Sequence, residues 1–155
     1  MLILIICTVV ALALDLITKY TLWGGGQTII PSILSISDRK VENHGMAFGI
    51  PAPVWFLIVV TFMILIVGVY LLVRFKTGRT SKVFNIGCGL VLGGALGNLF
   101  DRIFFGFVRD FIQFDFWTDF PVMNLADWFI NIGMVLLIVY FIFIYKGKAR
   151  AKTKG

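Results

Sequence analysis

Residues 54–73 read VWFLIVVTFMILIVGVYLLV, a continuous apolar run without a charged side chain. A helix needs about 20 apolar residues to cross the hydrocarbon core of a bilayer, so this run predicts a transmembrane helix. Three further apolar stretches have a similar character, roughly Leu2–Leu14, Val83–Phe100 and Phe129–Tyr145. Together the four stretches predict an all-α integral membrane protein with four spanning helices.

The composition indicates that lipid is the main solvent of this chain. Of its 155 residues, 59% are hydrophobic and 14% are charged, whereas a soluble domain carries about 25% charged residues. Four spans leave no room for a separate soluble domain, so we expect a single membrane-embedded domain over residues 1–155. Its four helices are expected at about 2–19, 54–73, 83–102 and 125–145, and its basic tail at 146–155.

The charged residues divide between the two sides of this expected membrane. The segment between the second and third spans and the C-terminal tail contain no acid and are rich in cations: Arg74, Lys76, Arg79, Lys82, Lys146, Lys148, Arg150, Lys152 and Lys154. The acidic residues all fall in or beside the other loops: Asp15, Asp38, Glu42, Asp101, Asp110, Asp115, Asp119 and Asp127. Lys and Arg are enriched in cytoplasmic loops, so we expect cytoplasmic termini and outward-facing acids. Topology thus explains the net charge of +6 without a nucleic-acid partner.

The third span has a surface of small residues. Gly89, Gly93 and Gly97 recur every four residues, a spacing that lets two helix backbones approach closely. Three polar residues follow at the outer end of the same span: Asn98, Asp101 and Arg102. Because they are three and four residues apart, they are expected to share one side of the helix.

The outer loops show signs of short strands. Gly24-Gly25-Gly26 is expected to end the first helix. Alternating apolar and polar residues over Leu34–Ser37 predict a short strand. A second strand is expected around Phe107–Phe114, in a loop rich in the aromatic residues that mark membrane interfaces.

Three aspartates are candidates for chemical roles at the outer interface: Asp101, Asp110 and Asp127. Common metal sites use clustered His, Cys or carboxylate ligands. His44 is the only histidine, so only carboxylates are available here as metal ligands. The remaining chemistry is that of two carboxyl groups sharing one proton, because like charges placed close together cannot both ionise. One group then acts as an acid and the other as a base toward water, which hydrolyses a peptide bond.

Spacing alone leaves open which two aspartates form the pair. Asp101 precedes Arg102 on a helix that also carries Asn98, which favours a permanently ionised, structural role for Asp101. Asp110 follows Arg109, but neighbours along a strand point to opposite faces. That cation therefore need not neutralise Asp110.

Two further pairs of polar residues lie at helix ends. Asp15 and Lys19 are four residues apart, share a helix face and can form an ion pair. Asn124 and Asp127 are three residues apart where the fourth helix begins, so an N-cap and a first-turn acid explain them as well as a catalytic role does.

Five motifs occur in order along the chain. They are Asp15-x-x-Thr18-Lys19, Asn43-x-Gly45-x-Ala47-Phe48-Gly49, Gly93-Gly94-Ala95-Leu96-Gly97-Asn98-Leu99-Phe100-Asp101-Arg102, Val108-Arg109-Asp110-Phe111 and Phe120-Pro121-x-x-Asn124-Leu125-Ala126-Asp127. As an ordered set that covers nearly the whole chain, they resemble bacterial lipoprotein signal peptidase, signal peptidase II. The resemblance implies four transmembrane helices, cytoplasmic termini and a small β cradle outside the membrane.

The resemblance also implies roles for individual residues. Asp110 and Asp127 match the catalytic aspartates of the family. Seven other residues match those that support the site and contact substrate: Asp15, Lys19, Asn43, Asn98, Asp101, Arg102 and Asn124. The implied reaction removes the signal peptide of a prolipoprotein just before a cysteine that carries diacylglycerol. No metal or organic cofactor is expected.

The implied setting is the bacterial cytoplasmic membrane, with the active site near its extracytoplasmic face. The implied partners are diacylglyceryl prolipoproteins, membrane lipids and globomycin-type inhibitors, and we expect a monomer. Two positions depart from the family pattern. Arg109 stands where the family usually has an aliphatic residue, and His44-Gly45-Met46 replaces a version with small residues.

Three alternative functions predict different patterns. A proton- or ion-coupled transporter predicts charges near the bilayer midplane, where the four spans carry none. A non-catalytic assembly protein explains the glycine face but not the asparagine–aspartate pairs at helix ends. A presenilin-type protease places its aspartates in Tyr-Asp and Gly-x-Gly-Asp contexts, neither of which occurs in the sequence.

Overall fold

The computed structural model describes residues 1–46, 50–74, 81–117 and 119–145, which form four α-helices and a small sheet. The helices are α1 (Leu2–Leu22), α2 (Val54–Arg74), α3 (Lys82–Phe104) and α4 (Leu125–Val139), and α4 continues as a π-helical segment, Tyr140–Tyr145. The strands are β1 (Thr28–Ile30), β2 (Leu34–Asn43) and β3 (Val108–Phe114). The expected helical fold with a small β cradle is thus confirmed as a mostly helical structure with a three-stranded sheet.

The helices have the length and apolar character of membrane spans. Among the described residues, Leu2–Leu22, Lys82–Phe104 and Leu125–Phe143 are long and apolar enough to cross a membrane. The corresponding apolar stretch of α2, Val54–Tyr70, is shorter. Large apolar side chains such as Val59 lie exposed on these helices. Helices that are hydrophobic all round and yet exposed are typical of surfaces that face lipid.

Several predicted features lie outside the described residues. They are Lys76 and Arg79 of the predicted inner loop, the motif residues Ala47, Phe48 and Gly49, and the basic tail at 146–155.

α1 and β2 are both longer than the sequence pattern indicated. α1 runs to Leu22 and is followed by Gly24 and Gly26, whose φ angles of 80° and 61° are accessible to glycine without strain. β2 extends beyond the predicted Leu34–Ser37 to Asn43. Its register with β3 shifts between Ile36 and Val41, and such an irregularity breaks the alternation by which a strand is recognised. The pairing with β3, rather than the local pattern, keeps this polar segment extended.

α3 packs against each of the other three helices. On its α1 side, a Cβ atom added at Gly93 would lie 2.7 Å from the carbonyl oxygen of Thr8 and 2.6 Å from the Cβ of Ala11. On its α4 side, a Cβ atom added at Gly133 would lie 2.7 Å from the carbonyl oxygen of Gly87. The predicted close packing of the glycine face is confirmed, and it brings the polar ends of α1, α3 and α4 together.

Replacing Gly93 by Ala should lower the thermal unfolding temperature of the protein in detergent by several degrees. The added methyl group meets the α1 backbone, and overpacking of this kind costs about 1–3 kcal/mol. Gly68→Ala is the matched control, because its added Cβ would meet only Leu92 Cδ2 at 3.7 Å and alanine favours helix. Equal stability of the two variants would contradict the close α1–α3 contact.

The sheet lies where α1 and α3 end and α4 begins, and it fixes the approach of the chain to α4. The strand order is β1-β2-β3, with Asn43 of β2 paired to Val108 of β3. Beyond β3, the backbone of Met123 pairs with that of Ile112, with N–H···O distances of 2.7 Å and 2.9 Å. This bridge places Asn124, the next residue, beside the strand that carries Asp110.

Candidate active site

Asp110 lies in the middle of β3 and is 1% exposed. Its Oδ2 accepts a hydrogen bond from Asn43 Nδ2 at 3.0 Å, and its Oδ1 accepts one from Asn124 Nδ2 at 2.6 Å. Burial and the negative charge of Asp127 raise the pKa of Asp110 to about 7, although the two amide donors favour the ionised form. This carboxyl group therefore keeps its proton to a higher pH than an ordinary aspartate does.

Asp127 lies in the first turn of α4 and closes a reciprocal cap with Asn124. Asn124 Oδ1 accepts from the Asp127 N–H at 3.1 Å, and Asp127 Oδ2 accepts from the Asn124 N–H at 3.3 Å. Asn98 Nδ2 of α3 donates to the other oxygen, Asp127 Oδ1, at 2.9 Å. The capping interpretation of Asn124 and Asp127 is confirmed. The same Asn124 side chain also bonds Asp110, so capping and site support are combined in one residue.

Behind Asp127 lies a buried group of charges centred on Lys19, which is fully buried. Lys19 Nζ lies 2.8 Å from Asp15 Oδ2 and 3.4 Å from Asp101 Oδ2, and it donates to Asn98 Oδ1 at 2.9 Å. The predicted pairing of Asp15 with Lys19 is confirmed. The remaining oxygen of Asp15 accepts from the N–H of Ala126 at 2.9 Å, which ties α1 to the start of α4.

Asp101 is neutralised by Arg109 rather than by the adjacent Arg102. Arg109 Nη2 lies 2.7 Å from Asp101 Oδ1, and its Nε lies 3.3 Å from both carboxylate oxygens. The backbone N–H of Arg109 also donates to Asp101 Oδ2 at 3.0 Å. The guanidinium carbon lies 4.5 Å above the ring of Phe105, a favourable cation–π distance. The sequence had not indicated this role; its only signal was a cation in a strand whose other charged residue is Asp110.

Arg102 connects the end of α3 to the loop after β2. Its Nη2 donates to the carbonyl oxygen of Gly45 at 3.3 Å, and the Gly45 N–H donates to Asn43 Oδ1 at 2.9 Å. Among the described residues, no hydrogen-bond partner contacts the buried Nε of Arg102. Arg102 therefore ties α3 to the loop, and it keeps an unused donor beside the aspartates.

Every residue predicted for the site belongs to one continuous polar network. Its members, linked by the contacts given above, are Asn43, Asp110, Asn124, Asp127, Asn98, Lys19, Asp15, Asp101 and Arg102. Within the described part of the chain, no group of three or more His, Cys, Asp or Glu side chains is placed to hold a metal ion. The arrangement therefore presents two carboxyl groups whose direct partners are amide and backbone donors.

Two adjoining cavities flank the aspartates. One of about 620 Å³ is lined by Asp110 and the prolines that precede α2, and the other, of about 310 Å³, by Asp127 and Arg102. They share Asn43 as a lining residue. A groove of about 390 Å³ continues from the second cavity along α4 and is lined mainly by apolar side chains, including Trp128 and Ile132. Each of the two aspartates thus lines one of the two adjoining cavities.

Comparisons with known proteins give the family of the chain. A family model described as signal peptidase (SPase) II matches residues 7–143. A lipoprotein signal peptidase of Serratia proteamaculans (strain 568) is 36% identical over 158 residues, covering 95% of this chain and 90% of the relative. A lipoprotein signal peptidase of Halothermothrix orenii is 46% identical over 101 residues, which cover 64% of this chain. The chain spans 66% of that relative, just under two thirds of its length.

Solved structures show the same fold. A bacterial membrane enzyme determined by the in meso method at 2.3 Å resolution has a TM-score of 0.79 and 32% identity, over 89% of this chain and 86% of that one. A second such structure, at 1.9 Å resolution, has a TM-score of 0.78 and 32% identity, over 91% of this chain and 93% of that one. With the family model covering most of its length, the chain belongs to the signal peptidase II family.

Proposed function

We propose that this protein is an intramembrane aspartyl endopeptidase. It removes signal peptides from diacylglyceryl-modified prolipoproteins by cutting just before the lipidated cysteine. Family membership supports the reaction class, a protease that processes lipoproteins. The observation that carries the mechanism is the linkage of Asp110 and Asp127 through Asn124, with amide donors on both carboxylates.

The chemistry divides between the two carboxyl groups. Asp127 in its ionised form takes a proton from a water molecule, whose oxygen attacks the scissile carbonyl carbon. Asp110 in its protonated form donates a hydrogen bond to the carbonyl oxygen and keeps its proton. The proton held by Asp127 then passes to the leaving nitrogen as the C–N bond breaks, which returns both carboxyl groups to their starting states. Arg102, with its unused buried Nε, is available to donate to a substrate carbonyl. Amide partners suit this exchange because they bond a carboxyl group in either protonation state.

The proposed setting is the bacterial cytoplasmic membrane, crossed four times, with both termini in the cytoplasm. The distribution of Lys and Arg supports this orientation. In it, the site lies near the extracytoplasmic face, at the ends of α1 and α3. A signal peptide helix and its acyl chains can then arrive laterally, while water reaches the carboxyl groups from outside.

An unlipidated prolipoprotein should be cleaved at least about tenfold more slowly than the diacylglyceryl form by the purified enzyme in detergent. The apolar groove along α4 adjoins the Asp127 cavity and is suited to an acyl chain. Two buried methylene groups, at ~0.8 kcal/mol each, already correspond to about that factor. The measurement is kcat/KM on matched substrates with and without the lipid, in the presence of a chelator.

The groove offers its own control for the lipid prediction. Ile132→Trp fills the groove and should lower kcat/KM for the lipidated substrate. Ile138→Trp places the same bulk on an exposed position of α4 outside the groove and should not. Equal rates on the two substrates would contradict the lipid requirement, and loss of activity with chelator would contradict a carboxyl pair that works without metal.

Activity should fall as the pH rises above about 7, because the raised pKa of Asp110 marks the loss of its proton in that range. Asn43→Ala removes a hydrogen bond that favours the ionised form, so it should raise the pKa further and move the alkaline limb of kcat/KM to higher pH. The measurement is kcat/KM against pH for both proteins. An unchanged limb would show that Asp110 is not the group that sets it.

A further inference from the structure

The amide of Asn98 is held in one of two possible orientations. Its oxygen accepts from Lys19 Nζ at 2.9 Å, and its nitrogen donates to Asp127 Oδ1 at 2.9 Å. An ammonium group can only donate hydrogen bonds. Lys19 therefore selects the orientation that presents a donor, rather than an oxygen, to Asp127.

The position of Lys19 depends in turn on Asp101, which contacts both Lys19 and Arg109. Lys19 Nζ lies 2.8 Å from Asp15 and 2.9 Å from the Asn98 oxygen, but 3.4 Å from Asp101. Asp101 tolerates this longer distance because Arg109 already contacts both of its oxygens through side-chain and backbone N–H groups. With Arg109, the buried group contains two acids and two cations.

Removing the guanidinium group would leave the fully buried Asp101 with Lys19 as its nearest cation. A buried carboxylate without its partner is strongly destabilised, and it attracts the ammonium group that remains. Movement of Lys19 toward Asp101 lengthens its bond to Asn98. The Asn98 amide then loses the donor that fixes its orientation.

We propose that Arg109 is a positioning residue for Asp127, acting through Asp101, Lys19 and Asn98 in that order. The proposal rests on the proposed function, because it assumes that Asp127 is catalytic. Arg109 lines none of the three cavities around the site, so its effect reaches Asp127 through the network rather than through the substrate. It also couples β3, which carries Asp110, to the opposite carboxyl group.

The test is a double-mutant cycle on kcat, measured with a lipidated prolipoprotein. Arg109→Leu should lower kcat about tenfold, a typical coupling within one network, and leave KM unchanged. In an Asn98→Ala background, the same substitution should change kcat by less than about twofold, since its route to Asp127 is gone. Arg109→Lys should recover part of the loss. Arg39→Leu, at an exposed arginine of β2, is the matched control and should leave kcat unchanged.

A charge-neutral double variant covers the case in which Arg109→Leu does not fold. Asp101→Asn with Arg109→Leu removes one acid and one cation together and should show the same kcat as Asp101→Asn alone, since no unpaired carboxylate remains to draw Lys19 away. Equal losses of kcat from Arg109→Leu in both Asn98 backgrounds, or a further loss of kcat on adding Arg109→Leu to Asp101→Asn, would overturn the proposal. If the unaltered protein fails to cleave the substrate, the proposed function fails instead.

Discussion

Asp110→Asn and Asp127→Asn should each lower kcat for prolipoprotein cleavage by about 10²–10⁴-fold, the usual contribution of a positioned proton-transfer group. Asparagine keeps the shape of the side chain and can still accept a hydrogen bond, but it cannot exchange a proton. The measurement is single-turnover cleavage of a lipidated substrate by purified protein. Asp119→Asn is the matched control, because Asp119 is exposed. Turnover near that of the unaltered protein would remove the aspartate concerned from the mechanism.

The stability of Asp110→Asn separates lost chemistry from lost folding. The pKa of Asp110 is raised from 3.8 to about 7, so the folded protein holds this proton more tightly than the unfolded chain does. The corresponding stability is present at acidic pH and is lost as the pH rises from about 4 to about 7. Asparagine carries no charge to lose. The variant should therefore gain in unfolding temperature relative to the unaltered protein as the pH is raised from 5 to 8.

Lys19→Met should destabilise the protein by about 3–5 kcal/mol, the usual cost of removing one partner from a buried ion pair. Methionine fills a similar volume, but Asp15 and Asp101 are fully buried and would lose the cation between them. The measurement is the unfolding temperature in detergent.

Two comparisons test the electrostatic origin of the Lys19 effect. Asp15→Asn combined with Lys19→Met should recover part of the loss, because one unpaired acid is removed with the cation. Lys40→Met, at an exposed lysine whose Nζ lies 5.1 Å above the ring of Trp23, should change stability little. A Lys19→Met protein as stable as Lys40→Met would contradict the buried pairing.

Local patterns predicted the helices and the Asp15–Lys19 and Asn124–Asp127 pairs, because each depends on spacing within one helix. The contact that neutralises Asp101 could not be predicted in this way. It depends on a turn between α3 and β3 that brings Arg109 back onto the helix, and spacing within one helix does not reveal such a contact. Long-range pairing likewise decided the length of β2, whose polar second half has no strand pattern of its own.

The choice among the three aspartates shows the same limit. Spacing placed Asp101, Asp110 and Asp127 at one interface but could not rank them. Their surroundings differ in kind, since Asp101 contacts two cations whereas Asp110 and Asp127 contact amides. Only the assembled fold supplies that difference. The family resemblance indicates Asp110 and Asp127, the two aspartates that the proposed mechanism uses.

The buried charges around Lys19 also bear on how the chain enters the membrane during synthesis. α1 carries Asp15 and Lys19 as a pair 2.8 Å apart on its own surface, so it can enter the bilayer with its charges already matched. Asp101 on α3 is neutralised by Arg109, which follows it by eight residues and so emerges soon after α3 itself. An isolated charge in lipid is costly, and both acids have a cation close to them along the chain.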